Sequence, residues 1–150
     1  MTQTMTSLND ELFAYLQQQS FVLLHTADAA SGCPTSNAIS WIYAPSRDKL
    51  RFAIDSRSRL TANLQAHAGV CVTVFVAGGV VAIHGRVLLV ASPLTDVPFD
   101  ISCFDIEIES WRNAMYAGSR LASVPECEKT YDQRAADKLD GQVFEAMRKA

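Results

Sequence analysis

Residues 70–90 read VCVTVFVAGGVVAIHGRVLLV. Both halves are rich in β-branched residues, the side chains that suit a pleated sheet. Ala77-Gly78-Gly79 separates them, and glycine reaches the positive φ angles that tight hairpin turns need. The segment predicts two long antiparallel strands, Val70–Val76 and Val80–Val90, joined by a short turn. Each strand is apolar on both faces, so each needs protein on two sides. The nearly uncharged run Gly69–Ile83 is too short to cross a bilayer as a helix, and its Gly78-Gly79 pair interrupts it.

Working outward, Lys49–Ile54 alternates, with Leu50, Phe52 and Ile54 on one face and Lys49, Arg51 and Ala53 on the other. Phe21–Thr26 and Thr35–Tyr43 read as two further strands around a turn rich in Asp28, Ser31, Gly32 and Pro34. Ser102–Arg112 alternates again, setting Phe104, Ile106 and Ile108 against Asp105, Glu107 and Glu109. Helical spacing occurs in three places: about 8–19, with Ser7 as a cap; Leu60–Ala66, with Ser58 as a cap; and about 131–149, with Leu139, Val143, Phe144 and Met147 as its apolar side. Six strands joined mostly by short turns predict a mainly β fold. Its form is a six-stranded antiparallel sheet closing into a small barrel at about 20–112, with helices outside.

The chain has 150 residues, 49% of them hydrophobic and 19% charged, which predicts one globular domain over 1–150. Thirteen basic and sixteen acidic residues give a net charge of −3, a poor match to a nucleic-acid binder. The first residues are polar, with no basic segment leading into an apolar one, so no secretory signal is expected. The four cysteines, Cys33, Cys71, Cys103 and Cys127, have neither C-x-x-C nor zinc-finger spacing. The expectation is a cytoplasmic protein without a membrane segment, whose thiols are small core residues, Cys33 excepted.

Phe52-Ala53-Ile54-Asp55-Ser56-Arg57-Ser58-Arg59-Leu60 is where chemistry concentrates. A strand runs into a Ser/Arg loop and a helix begins at once. The free N–H groups of a helix start favour an anion, and guanidinium grips phosphate bidentately. The alternative is that Ser58 only caps the helix while Arg57 and Arg59 sit in solvent. His25 lies in an apolar strand and reads as a wall residue, His84 lies within a strand with no base nearby in sequence, and His67 at a polar helix end reads as solvated. Asp105, Glu107 and Glu109 read as a solvated face.

Taken together, Pro34-x-x-Asn37-Ala38-Ile39-Ser40-Trp41-Ile42-Tyr43, then Leu50–Ile54, then Ser58-Arg59-Leu60-x-x-Asn63-Leu64 resemble the pyridoxamine 5′-phosphate oxidase-like split-barrel family. The likeness is to its short bacterial members and not to the oxidase proper. It implies a homodimer with FMN in grooves at the subunit interface, and flavin-dependent oxidoreductase activity on a small molecule. The related deazaflavin F420, no cofactor, or a flavin- or tetrapyrrole-binding module without turnover are the alternatives. By the same resemblance Ser58 and Arg59 would hold the FMN phosphate. Asn37, Ala38, Ile39, Ser40 and Trp41 would run beside the ribityl chain and ring, and Ala53 and Ile54 would pass close by. Trp111 and Arg120 match a tryptophan and an Arg-Leu pair of the oxidase. Asn37 stands where the oxidase has an arginine, Leu60 where it has a lysine, and Val80 where it has a glutamine.

Overall fold

A computed structural model describes residues 5–18 and 21–150 of the chain. The elements in order are α1 (Asp10–Tyr15), β1 (Val22–Ala27), β2 (Pro34–Ile39), β3 (Ile42–Ser46), β4 (Lys49–Asp55), α2 (Arg59–Ala66), β5 (Gly69–Val76), β6 (Gly79–Ala91), β7 (Ile101–Asn113) and α3 (Gln133–Lys149). The strands form one sheet in the order β2-β1-β5-β6-β7-β4-β3, and every neighbouring pair is antiparallel.

The expected strand Thr35–Tyr43 is two strands, so the sheet has seven and not six. Ser40-Trp41 interrupts it. β2 pairs with β1 at one edge of the sheet and β3 pairs with β4 at the other. Two sheet edges are therefore joined by a two-residue link, and among the described residues no ladder runs between β2 and β3. That unladdered seam is the split of the barrel.

The alternation read from β4 sorts as expected. Leu50, Phe52 and Ile54 enter the barrel core with Phe104 and Ile106 of β7. Phe52 and Phe104 are register partners, stacked with centroids 5.4 Å apart. Ala53 and Cys103 face outward and are covered by Val143, Ala146 and Met147 of α3. α2 closes one end of the barrel through Leu60 and Leu64. Its buried Asn63 donates to Thr26 Oγ1 at 3.1 Å and accepts from the Ala29 N–H at 2.8 Å.

Three local expectations change. The first helix is capped by Asn9, whose Oδ1 accepts from Leu12 N at 2.8 Å, and not by Ser7. Its expected end at Gln19 lies outside the described residues. Asp105 is buried, 5% exposed, and not solvated, because α3 lies over its end of β7. Cys127 is exposed with Cys33, while Cys103 is buried and Cys71 half-buried. No helix among the described residues is long and apolar enough to cross a membrane.

Candidate functional site

The Ser/Arg loop emerges from β4 held by its own neighbours. Asp55 Oδ1 accepts from the Arg57 N–H at 2.8 Å, and its carboxylate pairs with the Arg57 guanidinium at 3.0 Å. The Arg57 side-chain hydrogen bond holds the Asp55 carboxyl below its usual range. Ser56 Oγ lies 2.7 Å from Ser102 Oγ, which lies 2.8 Å from Ser92 Oγ, so a chain of hydroxyls centred on the buried Ser102 ties the loop to β7. Ser58 caps α2 by accepting from the Leu60 N–H at 3.2 Å. In the same first turn, Thr61 Oγ1 is buried without a partner among the described residues.

Arg59 begins α2 with a side chain 91% exposed. Its one ion pair among the described residues is long, 3.5 Å to Asp28 at the β1–β2 turn. The Ser31 N–H bond to Asp28, chiefly, keeps that carboxyl below its usual range. Asp28 thus places the Arg59 head beside the start of β2. Thr35, Asn37 and Ile39 stand opposite Thr26, Leu24 and Val22 in the ladder, so they share the inward side, where Asn63 of α2 reaches Thr26. Asn37 is exposed on that side. Arg59 is thus held near the start of β2, and Asn37 stands further along the strand.

At the other end of β2, roughly 15 Å away by strand rise, Ala38, Ile39 and Ser40 line a cavity of about 760 Å³. Its opposite side is residues 125–129 and the first turns of α3. The remaining predicted contacts are elsewhere. Trp41 is half-buried and its indole N–H donates to Asp140 Oδ1 of α3 at 2.8 Å. Ala53 is 2% exposed beneath α3, and Ile54 is 5% exposed in the barrel core, so only backbone is available at either. The Ala53 N–H is already given to the Trp41 carbonyl. Trp111 lies on the inward face and donates to the Ser7 carbonyl at 2.6 Å. Arg120 is exposed in the segment between β7 and α3. Among the described residues no hydrogen bond or ion pair joins Trp111 or Arg120 to the Ser58–Arg59 loop.

Two carboxylates organise the other side of the sheet: Asp140, which the sequence reading passed over, and Asp105, which it placed on a solvated face. Asp140 takes the Trp41 indole and pairs with Lys129 Nζ at 3.0 Å. Asp105 takes Arg51. Asp140 carries a sequence signal: it shares a stripe with Ala136, Val143 and Met147, so a carboxylate sits on the apolar face of a helix. Asp105 has no such signal, since alternation alone puts it on a face that could be wet.

Fit to a flavin rests on these features. The loop offers a helix start, an exposed guanidinium, hydroxyls and an orphaned Thr61 hydroxyl for a phosphate, and β2 runs on from there.

A curled antiparallel sheet with this strand order and a helix closing one end defines a split-barrel protein. The sequence model of the pyridoxamine 5′-phosphate oxidase family matches residues 8–112, and the chain belongs to that family. Solved structures agree on the fold. A pyridoxamine 5′-phosphate oxidase-like protein from Lactobacillus delbrueckii superposes with TM-score 0.62 at 15% identity, covering 73% of this chain and 97% of that one. An F420 reductase gives 0.58 at 17% identity, covering 69% and 98%. HutZ, the heme storage protein from Vibrio cholerae, gives 0.53 at 14% identity, covering 69% and 91%. No curated protein matches the chain.

Proposed function

We propose that the protein is a homodimeric FMN-binding flavoprotein, an oxidoreductase acting on a small molecule. The observation that carries the reading is the Arg59 guanidinium, 91% exposed beside the Ser58 cap, in a loop inside the family-matched segment. Arg59 and Ser58 would hold the phosphate, and Asn37 would stand beside the ribityl chain and ring. Bound flavin supplies hydride or electron transfer, and the protein supplies placement and electrostatics. The chain's own part is to bind the phosphate and orient the cofactor along β2.

The test pairs FMN with riboflavin, which lacks the phosphate, in fluorescence titrations of wild type and Arg59→Ala. A lost charge-assisted contact is worth about 1.5–3 kcal/mol. FMN affinity should fall about ten- to a hundredfold while riboflavin affinity hardly changes. Wild-type protein that takes up no FMN, or equal losses for both ligands, would overturn the reading.

A second reading is a tetrapyrrole-binding module without turnover. HutZ favours it by fold, as do His25 and His84, half-buried side chains flanking Cys71 in a cross-strand row. Histidine is a common haem ligand. A haemin titration that gives a sharp Soret band, lost in His25→Ala or His84→Ala, would support this reading over FMN.

A further inference from the structure

The cavity at the end of β2 has a size common for small-molecule sites. One wall is apolar and aromatic, with Tyr15, Phe21 and Ile39. The other is made by residues 125–129 and by Gln133 and Asp137 of α3. All of this second wall lies beyond residue 112, where the family match ends. The barrel supplies half of the pocket, and this chain's C-terminal segment supplies the half that selects.

The charge of that half has one sign. Lys129 is the cationic residue of the lining, and its ammonium is committed to the buried Asp140 at 3.0 Å. Glu126 and Glu128 enter none of the salt bridges among the described residues. Asp137 accepts from Gln133 Nε2 at 2.7 Å, a neutral donor that leaves its charge in place. An anion entering here meets three carboxylates and a lysine already neutralised. A cation meets those carboxylates and, deeper in, aromatic rings whose faces attract positive charge and whose area accepts an apolar body.

We propose that this cavity binds a small organic cation with an aromatic or apolar body, its ammonium at the Glu126–Glu128 rim and its body against Tyr15, Phe21 and Ile39. The site lies at the far end of β2 from the Ser58–Arg59 loop, and its selectivity for a cation does not rest on FMN. Its selectivity is opposite to that of the loop, which presents a guanidinium.

The test is an NMR titration of the isotope-labelled full chain with phenethylamine and, separately, phenylacetate. The two share a phenyl ring and differ in the sign of their charge. Phenethylamine should shift the amides of residues 38–40 and 126–129, and phenylacetate should not. Glu126 and Glu128 are exposed, so Glu126→Gln/Glu128→Gln should leave the rest of the spectrum unchanged. It should weaken phenethylamine binding about three- to tenfold. Equal response to both probes, response elsewhere, no response, or unchanged affinity in the double variant would each overturn the proposal. Titrations run with and without FMN keep the two readings apart, because a chain that binds no FMN leaves the phenethylamine result standing.

Discussion

Arg51 of β4 and Asp105 of β7 face each other directly across the ladder, and the guanidinium grips the carboxylate twice, Nε to Oδ1 at 2.6 Å and Nη2 to Oδ2 at 3.0 Å. The remaining nitrogen, Nη1, donates to the Met147 and Ala150 carbonyls at 2.8 and 3.0 Å. One side chain therefore joins two strands and satisfies carbonyls at the C-terminal end of α3, which a helix leaves unpaired. The Asp105 bond raises the Arg51 pKa, so the guanidinium stays charged at every accessible pH.

Removing one partner of a buried pair strands the other charge and costs about 3–5 kcal/mol, whereas an apolar replacement of both is often neutral. The two side chains are only 14% and 7% exposed. Asp105→Ala should therefore lower the unfolding free energy in urea by about 3 kcal/mol, with amide protection lost first in α3. Arg51→Met/Asp105→Leu should recover most of it. A loss under about 1 kcal/mol in Asp105→Ala would mean the clamp is ornamental to stability.

Beneath α3, burial pushes the Cys103 thiol up to about 11 from an ordinary 9.0, with Arg51 opposing the rise. The folded chain keeps a proton that the unfolded chain releases. This contribution is intact below pH 9 and is lost as pH climbs from about 9 through about 11, at about 1.4 kcal/mol per pH unit. Cys103→Ala lacks the dependence. The stability gap between wild type and this variant should shrink between pH 8 and pH 10.5, and a constant gap would refute the assignment. At pH 8 a thiol reagent should label the exposed Cys33 and Cys127 and spare Cys103.

Two glycines should respond to alanine with opposite signs. Gly85 sits where the β6–β7 register shifts, and a Cβ there would strike the Glu107 carbonyl and the Ile106 side chain. Gly85→Ala should cost about 1–3 kcal/mol by overpacking against backbone. Gly141 lies inside α3 with open space around it. Gly141→Ala should stabilise by about 0.5–1 kcal/mol, since alanine loses less backbone freedom in a helix. Thermal melts of both variants decide the point, and a shared sign would contradict it.

Trp111 bears on whether a cofactor site is shared between chains. Asn37, Leu24, Val72, Ile83 and Trp111 form one cross-strand row over β2, β1, β5, β6 and β7. Within a chain, Asn37 and Trp111 are four strand spacings apart, roughly 19 Å along the sheet. A shared site predicts that Arg59→Ala and Trp111→Ala chains, each defective in FMN binding as homodimers, regain one intact site per mixed dimer on co-refolding. No recovery would assign each site to a single chain. Undiminished FMN binding by Trp111→Ala would remove Trp111 from the site.

The sequence alone determined the periodic parts of this protein. Residues 70–90 became β5 and β6 because β-branched runs around two glycines have few other low-energy arrangements. Leu50, Phe52 and Ile54 went inward because a strand turns successive side chains to opposite faces. Ser58 was legible as a cap because capping is settled within a few residues. What the tertiary structure decided was which faces are covered and which distant groups meet. Nothing local in Thr35–Tyr43 says that it must bend at Ser40-Trp41; the bend exists because β1 and β4, each next to an opposite edge of the sheet, each take half of it. Asp105 alternates like Glu107 and Glu109, yet it is buried because α3, nearly thirty residues further on at its start, comes back over that end of β7. Trp41 reads as a ring-side contact, and its indole is claimed by Asp140 across 99 positions of chain. Side-chain direction is set by the backbone period of a few residues, whereas desolvation and ion pairing depend on which surfaces the closed sheet brings together.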